Sequence, residues 1–209
     1  MIAPTYDIER YIERIHSGPV AGIDEAGRGP WAGPVVAAAV ILDPSNCPDG
    51  LADSKMLAES RRDELALMIR ECATVSVGVA SVEEIDKINI LQATFLAMAR
   101  AEAGLKARPR VCIVDGSQKP KLTARTHMVV KGDAKSLSIA AASIIAKTVR
   151  DRMMRDLAAE HPFYEWEKNK GYGAPAHQRG LQTHGVTPHH RRSFAPIHNI
   201  LYPQVSKAS

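Results

Sequence analysis

The stretch from Val20 to Leu42 constrains this chain more than any other. Two apolar β-like runs, Val20 to Asp24 and Val35 to Leu42, flank a turn rich in glycine and proline. Ahead of them, Tyr6 to Ile15 is amphipathic and breaks at Ser17, Gly18 and Pro19. Behind them, Ala58 to Glu71 reads as a helix and Val75 to Val82 alternates like a strand. Val82 to Leu105 predicts one long helix with Glu83, Glu84 and Asp86 in its first turn, where the helix dipole favours acids. Val111 to Val114 and Met128 to Val130 predict short strands. Ser136 to Glu160 predicts a second long helix, apolar in front and charged behind, that enters the core by its front end only. Together these elements predict an α/β fold, a mixed β-sheet flanked by helices on both faces.

After His161 and Pro162 the chain turns aromatic, basic and histidine-rich, with no repeat or long linker before it. We expect this part to pack on the body as a C-terminal helical extension. The reading is one domain over residues 1–209, with a core of about 18–160 and the basic extension at about 161–209.

A chain of 209 residues, 45% apolar and 24% charged, can bury a core and is not a disordered chain. Cys47, Cys72 and Cys112 lie far apart and form no C-x-x-C pair, which supports neither a disulfide framework nor a zinc knuckle and predicts a reducing, cytoplasmic setting. The longest apolar run, Val35 to Leu42, is too short for a membrane helix, and the N-terminus carries acids where a signal peptide is apolar. A soluble, unprocessed protein is expected. Charge divides along the chain: residues 1–118 hold 12 Lys+Arg against 17 Asp+Glu, and residues 119–209 hold 15 against 6, with seven of the eight histidines. That asymmetry points to a cationic face for a polyanion beside an acidic region able to hold cations.

Acids mark the strand ends. Asp24 and Glu25 close the first run, Asp115 closes VCIVD, and Asp133 follows MVVKG just before a long helix. Singly, each reads as a turn former or helix cap. Collectively they can converge at one sheet edge and offer hard oxygen ligands to Mg²⁺ or Mn²⁺. Neighbours on a regular strand point to opposite faces, so Asp24 takes the direct, bridging role and Glu25 a lesser, single-metal one. Gly27 and Gly29 let the backbone approach a ligand, with Arg28 as a charge suited to phosphate. The same glycines fit G-x-G-x-x-A, but Pro30 and Pro34 oppose the helix that a dinucleotide fingerprint requires.

Further contacts are expected elsewhere. Ser54 and Lys55 lie in a loop that can meet phosphate or cap the next helix. Lys147 follows an apolar helix face and reaches the site edge or merely closes that face. Tyr172, between glycines, can stack on a sugar or base. His189, His190, Arg191 and Arg192 form a cationic run whose spacing does not resemble a zinc site and reads as phosphate-binding.

The motifs GIDEAGRGPWAGPVVAAAVIL, DSKML, EIDKINILQATFLAM, IVDG, VVKGD, SIAAASIIAKTVRD, KGYGAPAH and HHRRSF, in this order, closely resemble the ribonuclease HII family, the bacterial type 2 ribonucleases H. The resemblance runs from about Val20 to Phe194 and departs in small ways at Trp31 and Met56. It implies a ribonuclease H-like fold in which Asp24, Glu25, Asp115 and Asp133 take the family's acidic positions. It also implies that Gly27, Arg28 and Gly29 sense a ribose 2′-hydroxyl and that Tyr172 packs on the adjacent deoxyribose. The implied substrates are RNA–DNA hybrids and duplex DNA containing ribonucleotides.

The implied reaction is two-metal hydrolysis 5′ to a ribonucleotide, leaving a 5′-phosphate and a 3′-hydroxyl, with Mg²⁺ or Mn²⁺ as cofactor. Lys55, Lys147 and the run His189, Arg191 and Arg192 are expected to hold the nucleic-acid backbone. Two alternatives stay open: a non-catalytic hybrid-binding protein, and a related nuclease restricted to long hybrids. A monomer is expected. The end QVSKAS, after Pro203, reads as frayed, and a sliding clamp as its partner has no support in the residues.

Overall fold

The computed structural model describes residues 3–203; the QVSKAS end lies outside the described residues. Five strands form one sheet in the order β3-β2-β1-β4-β5. They are β1 (Val20–Ala26), β2 (Val35–Ile41), β3 (Thr74–Ala80), β4 (Val111–Asp115) and β5 (Arg125–Val129). β1, β2 and β3 pair antiparallel, whereas β1, β4 and β5 run parallel. The sheet is therefore mixed, and its three parallel strands end at one edge.

Helices cover both faces. α2 (Glu59–Cys72) and α4 (Leu137–Glu160) bury Ala38 and Val40 of β2 on one side. α3 (Val82–Ala103) buries Val35, Ala37 and Ala39 on the other. The alternation follows from the two-residue period of a strand, and the alanines of β2 let helices approach from both sides. Close approach requires glycine at Gly22 of β1, where any Cβ would overlap the backbone of Ser138 in α4.

Two expectations need correction. α3 is not continuous: Asn89 sits at φ 68° and ψ 164°, and its Oδ1 accepts from Leu91 N (3.0 Å) and Gln92 N (3.1 Å), which starts a second helical segment. α4 is not buried only in front. Its rear residues Met154 and Ala158 form a further core cluster with Ala32, Tyr164, Trp166, Leu181 and Ile197. The charged residues there read as a solvated half, but the apolar ones receive the C-terminal extension: α5 (Trp166–Asn169), α6 (Pro175–His184) and α7 (Ala195–Leu201).

α1 (Asp7–His16) docks behind the start of α4. Its fully buried Glu9 accepts from the Ser136 hydroxyl (2.6 Å) and from Ser138 N (2.8 Å). A carboxylate at that helix start complements unpaired N–H groups and the dipole. Thr5 adds backbone bonds to Lys135 and Leu137 on the same turn.

Candidate active site

Chain direction assembles the acidic edge. β1 and β4 are parallel with Ile23 opposite Val114, so the next residues, Asp24 and Asp115, lie side by side just past the last pair that joins these two strands. Asp133 follows β5 in the short turn Gly132–Ala134, and Gly132 N donates to Asp115 Oδ1 at 2.6 Å. Open α/β sheets bind ligands at the carboxyl ends of parallel strands for this reason. Asp24 is nearly buried, and its Oδ1 accepts from Glu25 N at 2.7 Å. Glu25 belongs to the α3 side, where it joins Asp115 and Arg28 around a cavity of about 270 Å³.

Burial, then the charges of Glu25 and Asp115, pushes the Asp24 carboxyl well above its ordinary range. Burial also raises Glu25, against the opposing Arg28 guanidinium 3.3 Å away. Asp133 is raised by burial and by Asp53 and Asp115. Burial works to lower the Lys55 ammonium, but Asp53, Asp133, Asp24 and Asp115 together raise it. Lys55 is thus a cation facing the acids. No three of these carboxylates bring an oxygen each within 4.8 Å of one another among the described residues. Like charges held in a low-dielectric edge stay apart, and hard oxygen donors under mutual repulsion fit a divalent cation.

The glycine loop after β1 is fixed by two buried arginines. Arg191 is fully buried and donates to the carbonyls of Gly33 (2.9 Å), Arg28 (2.9 Å), Gly27 (2.5 Å) and Pro34 (3.2 Å). Arg150 donates to Pro34 (3.0 Å), Lys170 (2.9 Å) and Ala32 (3.1 Å). Burial pulls Arg191 down to about 9 and Arg150 down to about 10, so both stay charged at neutral pH. Gly27 adopts φ +96°, and a Cβ there would overlap the Arg150 side chain. Trp31 N donates to Gly171 O at 2.8 Å, joining this loop to the turn that carries Tyr172. A Cβ on Gly29 would lie 3.3 Å from the Tyr172 ring, which is 52% exposed and free to stack.

Tyr172 is itself held from below. Thr187 N donates to His190 Nδ1 (3.0 Å), so His190 carries its proton on Nε2 and gives it to His177 Nε2 (3.0 Å). His177 then carries its own proton on Nδ1 and donates to Tyr172 O at 2.9 Å. Trp166 Nε1 also donates to His177 Nε2, at 3.2 Å. Both histidines are fully buried and held below their ordinary pKa by burial, so the chain is a neutral one.

Five expected phosphate contacts are corrected. Arg191 cannot reach substrate, because its guanidinium is buried and saturated by loop carbonyls. The Ser54 hydroxyl is buried against that of Ser143 (2.8 Å), which in turn bears on Asp24. Lys147 closes a helix face, with Nζ 2.5 Å from Asp151, itself beside Arg62. His189 turns to His161, with ring centroids 5.1 Å apart, and burial and that neighbour lower its pKa. Arg192 remains exposed, its backbone N bonded to Asp86 at 3.0 Å. His190, read with the run His189 to Arg192 as phosphate-binding, is buried instead, with its ring bonded to His177 and Thr187. The sequence gives no role to Asp53, Arg150, Ser143 or His177. Asp53 was visible as part of DSK; the others show no local signal, because their partners lie far away in the chain.

A mixed sheet that gathers acids where its parallel strands end is the architecture of metal-dependent endoribonucleases, and that class accounts for both the acidic edge and the separate glycine loop. The family model described as Ribonuclease HII matches residues 21–197. A ribonuclease HII of Jannaschia sp. (strain CCS1) is 57% identical over 96% of this chain and 99% of its own. The ribonuclease H2 of Pyrococcus horikoshii OT3 superposes with a TM-score of 0.73 at 29% identity, covering 87% of this chain and 96% of that one. The ribonuclease HII in a PCNA complex from Archaeoglobus fulgidus gives 0.70 at 29% identity, covering 83% and 93%. The chain belongs to the ribonuclease HII family. Among the described residues no helix is long and apolar enough to cross a membrane.

Proposed function

We propose that this protein cleaves the RNA strand of RNA–DNA hybrids and nicks duplex DNA on the 5′ side of a single embedded ribonucleotide. The observation that carries this reading is the junction of acidic edge, glycine loop and exposed tyrosine: Gly29 abuts the Tyr172 ring, and the loop holding Gly29 continues directly from β1, which carries Asp24 and Glu25 near its end. Asp24, Glu25, Asp115 and Asp133 would hold Mg²⁺ or Mn²⁺. When bound, those cations supply charge neutralisation at the scissile phosphate and a stronger water nucleophile. The protein's own groups do the rest. Lys55 faces the phosphate from the acidic side, and the exposed Arg192 adds a salt-sensitive backbone contact. Selectivity rests with the loop backbone at Gly27 and Arg28, which can approach a 2′-hydroxyl, and with Tyr172 stacked on the neighbouring sugar. The products are a 5′-phosphate and a 3′-hydroxyl.

Residues 1–209 act in this reading as one unit, a core of about 18–160 with its extension packed against α4. The test is a nicking assay with Mg²⁺ or Mn²⁺ on a duplex holding one ribonucleotide. Cleavage 5′ to that ribonucleotide, absent from the all-deoxy duplex and reduced by Tyr172→Ala, is the expected result. Cutting of long hybrids alone would favour the hybrid-restricted nuclease, and binding without turnover would favour a non-catalytic hybrid binder.

A further inference from the structure

At the far end of α4, three side chains outside the acidic edge converge. Glu160 ends the helix, His161 caps it, and His189 comes from the loop ahead of α7. Each offers one ligand atom, and the three atoms lie within 4.8 Å of one another, the one such group among the described residues. Ser143, which bears on Asp24, and Glu160 are 17 residues apart on the same helix, or about 25 Å at 1.5 Å per residue. The cluster is thus separate from the strand-end acids.

Its chemistry differs as well. The acidic edge is all oxygen and suits hard cations, whereas two imidazoles and one carboxylate make a nitrogen-rich set that suits zinc-like dications. Both imidazoles are half-buried, yet neither ring forms a hydrogen bond or ion pair with another described residue, nor does the Glu160 carboxylate. At metal–ligand distances of about 2.1 Å, tetrahedral ligands lie roughly 3.4 Å apart. Glu160 is exposed, so its rotation can close the remaining gap without disturbing packing. Glu160 and His189 also border a cavity of about 410 Å³ with Glu83 and Asp156 on it, which adds negative charge and leaves room for a water as fourth ligand.

We propose that Glu160, His161 and His189 form a second metal site, for one zinc-type transition-metal dication, that braces the loop carrying Arg191. The mechanical link is direct. Gly33 N donates to His189 O at 2.8 Å, and two residues later Arg191 holds the carbonyls of Gly27 and Arg28. An ion joining His189 to the end of α4 therefore fixes the loop from which the glycine turn is held.

The test uses chelator-stripped full-length protein in saturating Mg²⁺, which occupies the oxygen-only edge, titrated with Zn²⁺ by calorimetry and with Co²⁺ by visible absorption. We expect one Zn²⁺ equivalent, a raised melting temperature, and the intense Co²⁺ bands of a low-coordinate site with nitrogen ligands. His161→Gln and His189→Gln should each weaken Zn²⁺ binding by roughly 100-fold or more, and the exposed Glu160→Gln should also weaken it. Asp24→Asn should leave it unchanged. Zn²⁺ binding that is absent at millimolar metal, indifferent to the histidine variants, or lost in Asp24→Asn would overturn the proposal.

Discussion

Replacing Arg191 with methionine separates holding the glycine loop from holding phosphate. Methionine keeps an apolar stem near Phe194, whose ring centroid lies 5.0 Å from the guanidinium carbon, but removes every donor to the carbonyls of Gly27, Arg28, Gly33 and Pro34. Pro34 O keeps its bond from Arg150 Nε at 3.0 Å, so three carbonyls lose their donor. At about 1–3 kcal/mol for each buried group left unpaired, the gross loss is roughly 3–9 kcal/mol. Relief of one buried charge and entry of water offset part of it, leaving a net loss of about 3–5 kcal/mol. A domain stable by about 5–15 kcal/mol stays largely folded under that loss. Its melting temperature falls by roughly 6–20 °C, at about 2–4 °C per kcal/mol for a chain of this size. The assay pairs thermal unfolding with the salt dependence of hybrid binding, using Arg192→Met as the exposed comparison. Loss of a phosphate contact lowers the slope of log K against log salt by about one, whereas loss of a loop clamp leaves the slope intact. An Arg191→Met protein melting within about 2 °C of wild type, with its salt slope reduced by one, would refute the clamp.

Asp24→Asn should abolish cleavage and stabilise the metal-free protein. The Asp24 carboxyl is raised in the fold, so metal-free stability is greatest below its ordinary pKa and is lost as pH rises toward the raised value. Unfolding in chelator from pH 5 to 8 should show that decline in wild type and a shallower one in the variant, and parallel curves would contradict it. Gly27→Ala, forced to φ +96° against Arg150, should cost about 3 kcal/mol and reduce cleavage, checked by denaturant unfolding and initial rates. His190 is pushed down to about 3 from 6.5, chiefly by burial, so its share of stability is present above pH 6.5 and lost as pH falls below that. His190→Phe should remove this acid-side loss and blunt the preference for a single ribonucleotide more than the cutting of long hybrids, because Tyr172 loses its support; equal losses on both substrates would contradict the second part.

Strand ends and their acids were legible because each signal is local: a short apolar run, then Asp, then glycine or a helix. The break in α3 was not, since Asn89 sits in an otherwise helical pattern and declares itself only through its positive φ. The rear of α4 misled for a related reason. Met154 and Ala158 are spaced as a helix face, but the residues they pack on, Trp166, Leu181 and Ile197, arrive from a part of the chain whose placement no periodicity encodes. Charge was the poorest guide. Arg191 and Arg192 are adjacent and identical, yet one is buried among carbonyls and the other is in solvent. The histidines divided the same way, His190 into the chain behind Tyr172 and His189 toward Glu160, whose contact no linear spacing could reveal.

The turn bearing Asp133 is propped from behind by the N-terminal segment. Glu9 answers the Ser136 hydroxyl and the Ser138 amide, and Thr5 bonds Lys135 and Leu137. Tension applied through the leading helix, from a fused reporter or a tether to a bead, would therefore reach the chemistry as a change in turnover. That helix is a handle on the enzyme as well as a piece of its scaffold.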